Sequence, residues 1–319
     1  MNASVLVGET IAAVVQVAAL AVGAPVLLGL MRKVRAHLEG RVGQPLVQPL
    51  RDLRKLFRKE RIRPDQASWI FPSAPVVLVA TVAVAGAMAP LVTTRPALGG
   101  SSDLFALVYL LLIGSTVLAL AGLDSGTAFG GMGASRAVTI GALAEPALLV
   151  TILALSFAAH SSNLPAIVQA TVLHPETLAT PQRLFSLGAL VVVLVAESGR
   201  LPVDNPATHL ELTMIHEAMI LEYAGPDLAL VTVGESMRLA LLLGILVNVV
   251  APWGVGAGDT LPAIALGLVA LAAKVAVAGV ALAIFEVFTA KMRLLRLPEL
   301  LAGAFVLGVL AVVSGLVVR

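Results

Sequence analysis

Long runs of apolar residues, broken by short polar segments, cover almost the whole chain. Eight stand out, at about 6–30, 70–92, 104–122, 137–159, 184–197, 233–251, 261–288 and 300–318. One helical crossing of a bilayer needs about 20 apolar residues. The fifth run is short for that and is expected to continue as helix into the polar stretch behind it. The runs are rich in Leu, Val and Ala and show no two-residue alternation, which favours helices over a membrane β-barrel. The pattern predicts an all-α, polytopic integral membrane protein of about eight transmembrane helices, with residues 1–319 forming a single membrane domain. No charged region precedes the first run, the reverse of a secretory signal, so it is expected to be a retained span. No repeat of the solenoid type is evident.

Two polar segments interrupt this pattern. In 31–63, Leu46, Leu50, Leu53 and Phe57 recur with a helical rhythm, while Arg51, Arg54, Lys55 and Arg58 take the other faces. That spacing predicts an amphipathic helix lying in the membrane interface, its bases toward headgroups or an acidic partner. Gly40, Gly43 and Pro45 allow a tight turn before it. The segment is read either as a positively charged anchor that fixes topology or as a docking surface for a water-soluble partner.

The second segment, 197–225, carries Glu197, Asp204, Glu211, Glu217 and Glu222, with Arg200, His209 and His216. Asn205 and Pro206 resemble a helix start, and Gly225-Pro226 a stop, so a helix from Pro206 to Tyr223 is expected. Either this is a solvated helix or its acids line a hydrated path. The two histidines stand seven apart, a poor metal spacing. Further charges fall within apolar runs: Glu145, Glu235, Lys274 and Glu286. A charge at membrane depth costs at least a few kcal/mol and is by default a functional candidate. Structural pairing or snorkelling is the alternative, and it suits Glu235 and Glu286 best.

Composition agrees with a membrane chain. Hydrophobic residues make up 59% and charged residues 13%, against about 25% charged in soluble domains. There is no cysteine, so disulfides, thiolate zinc sites and Cys-ligated iron–sulfur clusters are excluded from this chain. Of the 21 Lys and Arg, eleven lie in 31–63, and Lys291, Arg293 and Arg296 cluster after the seventh run. Arg136, Arg200 and Arg238 are expected in loops on that same side, and Arg95, Arg183 and Arg319 on the other. Positive residues concentrate on the cytoplasmic side. Both termini are therefore expected on the non-cytoplasmic face of the cell's inner (cytoplasmic) membrane.

Several stretches resemble a known family. They are Glu197-Ser198-Gly199-Arg200-Leu201-Pro202-Val203-Asp204-Asn205-Pro206, Glu211-Leu212, Glu222-Tyr223-Ala224-Gly225, Gly133-Ala134-Ser135-Arg136 with Glu145 downstream, and Leu50-Arg51-Asp52-Leu53-Arg54-Lys55-Leu56-Phe57. Together they resemble the complex I subunit 1 family. That subunit joins the hydrophilic and membrane arms of respiratory complex I and of related membrane-bound nickel–iron hydrogenases, formate hydrogenlyase and hydrogenase-4 included. The first loop is shorter than in quinone-reducing members, with only Gly40-Arg41-Val42-Gly43-Gln44-Pro45 remaining. Ala207 and His209 replace family glutamates, and the run 122–126 also looks like the hydrogenase-type branch.

The resemblance implies a non-redox subunit of an oxidoreductase complex. It implies docking of hydrogenase-type large and small subunits through Arg41, Arg51, Arg54, Lys55, Arg58, Arg200 and Asp204. Antiporter-like membrane subunits would be neighbours. Glu145, Glu197, Glu211, Glu217 and Glu222, with Lys274 and Glu286 inside the spans, would carry proton translocation. No cofactor is expected in this chain; nickel–iron and iron–sulfur centres would belong to partners. A quinone-site subunit of NADH:quinone oxidoreductase, a stand-alone secondary transporter and a purely structural anchor are the alternatives.

Overall fold

Every long apolar run forms a helix. The computed structural model describes residues 3–94, 96–204, 214–256 and 261–317. The helices are α1 (Ala3–Leu38), α2 (Gln48–Leu56), α3 (Ile70–Met88), α4 (Leu104–Asp124), α5 (Ala128–Ala159), α6 (Leu164–Leu173), α7 (Pro181–Glu197), α8 (His216–Ile220), α9 (Gly225–Val250), α10 (Leu261–Phe288) and α11 (Leu297–Val317). Among the described residues, seven helices are long and apolar enough to cross a membrane: α1, α3, α4, α5, α9, α10 and α11. The eighth expected crossing coincides with α7, whose 17 residues span about 25 Å at 1.5 Å per residue. A count of eight rests on that helix.

Side-chain caps set several starts. Asp103 accepts the Phe105 N–H at 2.8 Å and Thr127 the Gly130 N–H at 3.2 Å, satisfying donors that a first turn leaves unpaired. His160, in the left-handed region at φ 52°, ends α5. The basic helix α2 forms where its apolar rhythm predicts: Leu53 is buried while Arg51, Arg54, Lys55 and Arg58 are exposed. Gly40 and Gly43, at φ 73° and 71°, make the turn before it.

Several expectations are corrected. α7 does not continue past Glu197; the chain turns at 198–203. The helix expected over Pro206 to Tyr223 lies partly in 205–213, outside the described residues. In the rest only His216–Ile220 is helical, so Tyr223 follows the helix. Gly225-Pro226 opens α9 instead of stopping a helix, with proline in the first turn, where its missing N–H costs nothing. Consequently Arg238 lies inside α9, and Arg136 inside α5, instead of in loops. Arg183 is buried in the first turn of α7.

α1, α3, α4, α9 and α10 pack as one group, and α5, α7 and α11 as a second, joined along α4 and α5. The short α8 lies on both α4 and α5. Two glycines permit this. A methyl at Gly133 would sit 2.7 Å from the Ile215 carbonyl oxygen, and one at Gly130 would sit 2.3 Å from that of Gly122. Close backbone approach is the physical reason for glycine at both places.

At the end of the bundle away from α2, α3 and α9 both stop, and two non-helical stretches follow, 89–94, almost wholly buried, and 251–256, partly exposed. The Gly256 N–H donates to the Val92 carbonyl at 2.9 Å and the Thr94 N–H to the Gly256 carbonyl at 3.1 Å. Gln16 of α1 donates to the Ala89 carbonyl at 2.8 Å and to Gly86, and accepts the Val92 N–H at 3.0 Å. Asn248 donates to the Pro90 and Leu91 carbonyls, both at 3.0 Å. Arg183 donates to the Val249 carbonyl at 3.0 Å and to Thr171 at 2.9 Å, placing a cation at the negative end of α9. Irregular backbone at such depth persists only when its polar groups are paired within the protein.

Candidate functional site

Of the charged residues in the apolar runs, Glu145, Glu235 and Glu286, but not Lys274, line one space toward the end of the bundle that carries α2. The C-terminal part of α1 brings Arg32 and Arg35, the turn after α7 brings Arg200, and α10 brings Glu286. Glu286, 4% exposed, is clasped by two guanidiniums: Arg35 at 3.0 Å and Arg200 at 3.5 Å. A buried carboxylate without such partners would be very costly. Burial pushes the pKa of Arg200 down, and the neighbouring Glu286 opposes that shift.

One turn of chain away, Glu197 closes α7 and meets Arg238 of α9 at 2.6 Å. Asp204 is buried; it accepts from Lys291 at 2.9 Å and from the His216 N–H, in the first turn of α8, at 3.1 Å. The Met292 N–H donates to the Pro202 carbonyl at 2.9 Å, so the segment after α10 is bound to the segment after α7. Arg136 donates to the Met214 carbonyl at 3.0 Å. The Gly-Ala-Ser-Arg motif is thereby explained: its glycine admits the chain around α8 and its arginine holds it.

These pairs surround a chamber of about 880 Å³. Six acids line it: Glu145, Glu197, Asp204, Glu217, Glu235 and Glu286. Five arginines do as well: Arg32, Arg35, Arg41, Arg200 and Arg238. The rest of the wall is mostly apolar or small, from α1, α4, α5, α8 and α9, with Gln44 and His216 as further polar groups. Glu145 lies farthest from the arginine cluster along α5 and accepts from the half-exposed Tyr109 hydroxyl at 3.3 Å. A chamber with this lining is polar enough to admit water and brings several carboxyl groups together in one space. That is the geometry for moving protons or for holding an amphiphile with a polar head. No group of three or more His, Cys, Asp or Glu side chains is placed to hold a metal ion among the described residues.

Of the sequence-predicted residues, the structure brings Glu145, Glu197, Glu217, Glu286, Arg41, Arg200 and Asp204 to this chamber. Arg41 also pairs with Glu39. Glu222 is exposed and does not line it, and Arg51, Arg54, Lys55 and Arg58 stand on the outer surface. Lys274 lies elsewhere, donating to Asn248 at 3.1 Å. Glu211 and His209 fall outside the described residues. Sequence reading missed Arg35 and Arg238 as partners of acids and held structural pairing or snorkelling the best fit for Glu235, which lines the chamber.

A second set of contacts fastens the two polar segments together. Asp227, 2% exposed in the first turn of α9, is met by Arg61 at 3.2 Å and Arg63 at 3.1 Å. A methyl at Gly225 would lie 2.3 Å from the Glu60 carbonyl oxygen. Tyr223 stacks on Phe71 with ring centroids 4.1 Å apart and donates to the Phe71 carbonyl at 2.8 Å. Burial, then Asp227 and Asp124 nearby, push the Tyr223 phenol up, so it stays a donor.

Known proteins are similar to this chain. The chain is 32% identical to formate hydrogenlyase subunit 4 of Escherichia coli over 291 residues, covering 91% of this chain and 94% of that protein. It is 31% identical to hydrogenase-4 component C of the same organism, over 90% of each. An NADH-quinone oxidoreductase subunit of Syntrophotalea carbinolica is 30% identical over 66% of this chain and 67% of its own length. The fold matches a chain in the structure of the membrane-bound sulfane sulfur reductase, an archaeal respiratory membrane complex, with a TM-score of 0.82 at 19% identity, over 98% of this chain and 100% of that one. The NADH dehydrogenase family model matches residues 10–317. An all-helical membrane bundle, a charged chamber at its basic end and these relatives along nearly its full length make the chain a member of the NADH dehydrogenase family of membrane subunits.

Proposed function

We propose that the chain is the membrane subunit of a nickel–iron hydrogenase-type complex, where it anchors a hydrophilic redox arm and couples the arm's chemistry to proton or ion translocation. The observation that carries this reading is the chamber in which Glu286 is clasped by Arg35 and Arg200. Those arginines come from separate segments at the basic end, where an arm would bear on them. A shift of either segment changes the charge balance around a buried carboxylate, and through it the proton affinity of the acids in the same chamber. The full-length match to the formate hydrogenlyase and hydrogenase-4 subunits supports the hydrogenase-type branch.

In this reading the basic end faces the cytoplasm and both termini the other side, by the excess of Lys and Arg in 31–63. The exposed bases of α2, with Arg41, dock hydrogenase-type large and small subunits. Those subunits hold the nickel–iron and iron–sulfur centres, for which this cysteine-free chain offers no thiolates. Glu197, Glu217, Glu235, Glu286 and Glu145 form the proton-linked path toward antiporter-like neighbours. A second reading, a quinone-site subunit of NADH:quinone oxidoreductase, draws on the NADH-quinone oxidoreductase relatives and on the apolar part of the chamber wall.

The test is purification of the complex from native membranes through a tag on this chain, followed by identification of its partners. Hydrogenase-type subunits and hydrogen or formate chemistry support the proposal. NADH-driven quinone reduction, blocked by quinone-site ligands, selects the second reading. Recovery of the chain alone overturns both.

A further inference from the structure

Lys274 is a charged residue of the membrane-spanning helices that the chamber does not use. It lies at the middle of α10, about 20 Å from either helix end. Its four-carbon stem falls far short of half the ~30 Å hydrocarbon thickness, so it cannot snorkel to either interface. The structure fixes its direction instead. Both amide hydrogens of Asn248 go to the Pro90 and Leu91 carbonyls, which turns Oδ1 toward Lys274 at 3.1 Å. An ammonium has three donors and a full charge, and Asn248 supplies one neutral acceptor. Among the described residues no carboxylate lies within ion-pair distance of it. Glu145, Glu235 and Glu286 stand at the chamber, and Glu9, Asp124, Asp227 and Glu299 lie near the ends of their helices.

The surface beside Lys274 is unusually bare. Leu266, Val269 and Val277 are 65%, 69% and 70% exposed along one side of α10, and Lys274 flanks that strip, itself half-buried. A cation on the rim of an apolar strip at mid-membrane costs at least a few kcal/mol against lipid alone. Intramembrane charges pair with one another, and among the described residues none pairs with Lys274.

We infer that the α10 face around Lys274 is the docking surface for a transmembrane helix of a neighbouring subunit, one that presents an Asp or Glu carboxylate at the depth of Lys274. The apolar strip supplies packing area, and the charge pair fixes the depth and rotation of the incoming helix. Because 89–94 and α9 hold Asn248, and Asn248 holds Lys274, the pair also ties the partner to the break between α3 and α9. The inference rests on membership of a multi-subunit membrane complex, which the tag purification above tests separately.

The experiment places a photo-crosslinking amino acid at Val277, with Lys274 intact, in the complete complex in native membranes, and identifies the captured peptide by mass spectrometry. The expected capture is an apolar helix of another subunit containing Asp or Glu. Lys274→Met should then lower recovery of that subunit with the tagged chain about tenfold, while Lys274→Arg retains it. Exchanging the charges, Lys274→Glu with the captured carboxylate changed to Lys, should restore it. Capture of lipid only, of a second copy of this chain, or of a helix without a carboxylate overturns the inference. So does unchanged recovery with Lys274→Met. In each of these cases the rest of the complex still co-purifies, so membership of the complex stands apart.

Discussion

Glu197, the last residue of α7, and Arg238, in the middle of α9, form an ion pair of 2.6 Å with little exposure on either side chain. The pair links the two helix groups of the bundle directly at the chamber wall. Removing one member leaves the other charged and buried. Glu197→Gln is expected to cost about 3 kcal/mol. In the Glu197→Gln, Arg238→Gln double variant at least about 1 kcal/mol of that should return as coupling. Thermal unfolding of the four-member cycle in detergent measures it; strict additivity would show that the pair is not coupled.

Glu286 serves two arginines, so its neutralisation is expected to be worse than that of Glu197. Glu286→Gln strands Arg35 and Arg200 together, and like charges repel. Limited proteolysis should then cut the turn at 198–203 that wild type protects, while Glu286→Asp keeps most of the protection. Equal cleavage in wild type and Glu286→Gln would mean that the clasp does not order this end.

Glycine substitutions on α5 should separate sharply. Gly133→Ala drives a methyl into the Ile215 carbonyl, whereas nothing lies within 4 Å of a methyl at Gly131. The first is expected to destabilise by about 1–3 kcal/mol through overpacking. The second should be neutral or stabilising by up to about 1 kcal/mol, because alanine is the better helix former. Melting temperatures of the two variants decide it.

Charge reversal of Arg51, Arg54, Lys55 and Arg58 to Glu leaves the bundle intact, since these side chains point outward from α2. It should release the hydrophilic arm from membranes, and release of wild type should rise with salt, as screening predicts. An arm that sediments with reversed-charge membranes assigns α2 to lipid headgroups alone.

Glu145→Gln removes the deepest acid of the chamber without touching any ion pair. Redox-driven proton movement in vesicles containing the whole complex should fall to background while assembly persists. Full coupling in that variant would leave Glu145 no part in the path.

The apolar runs and the rhythm of α2 made the helices legible, because burial in lipid leaves a periodicity that no packing detail disturbs. The starts of α5 and α9 were hidden. Arg136 and Arg238 look like loop residues until their partners are known, and those partners lie far away in sequence. Arg35 had the same problem, being one of eleven bases in a run whose other members mostly face outward. Asp204 accepts from Lys291, a pairing across 87 positions that no local pattern records. Gly133 was visible in its motif, but its reason, the carbonyl of Ile215, was not.

The clasp on Glu286 has a temporal side. Arg35 and Arg200 leave the ribosome well before the carboxylate that neutralises them, because chains emerge from the N-terminus. Until α10 is threaded into the bilayer, both guanidiniums wait without their counter-ion. A nascent chain halted short of α10 therefore lacks the carboxylate that Arg35 and Arg200 share, and insertion of that helix is the step that completes the clasp.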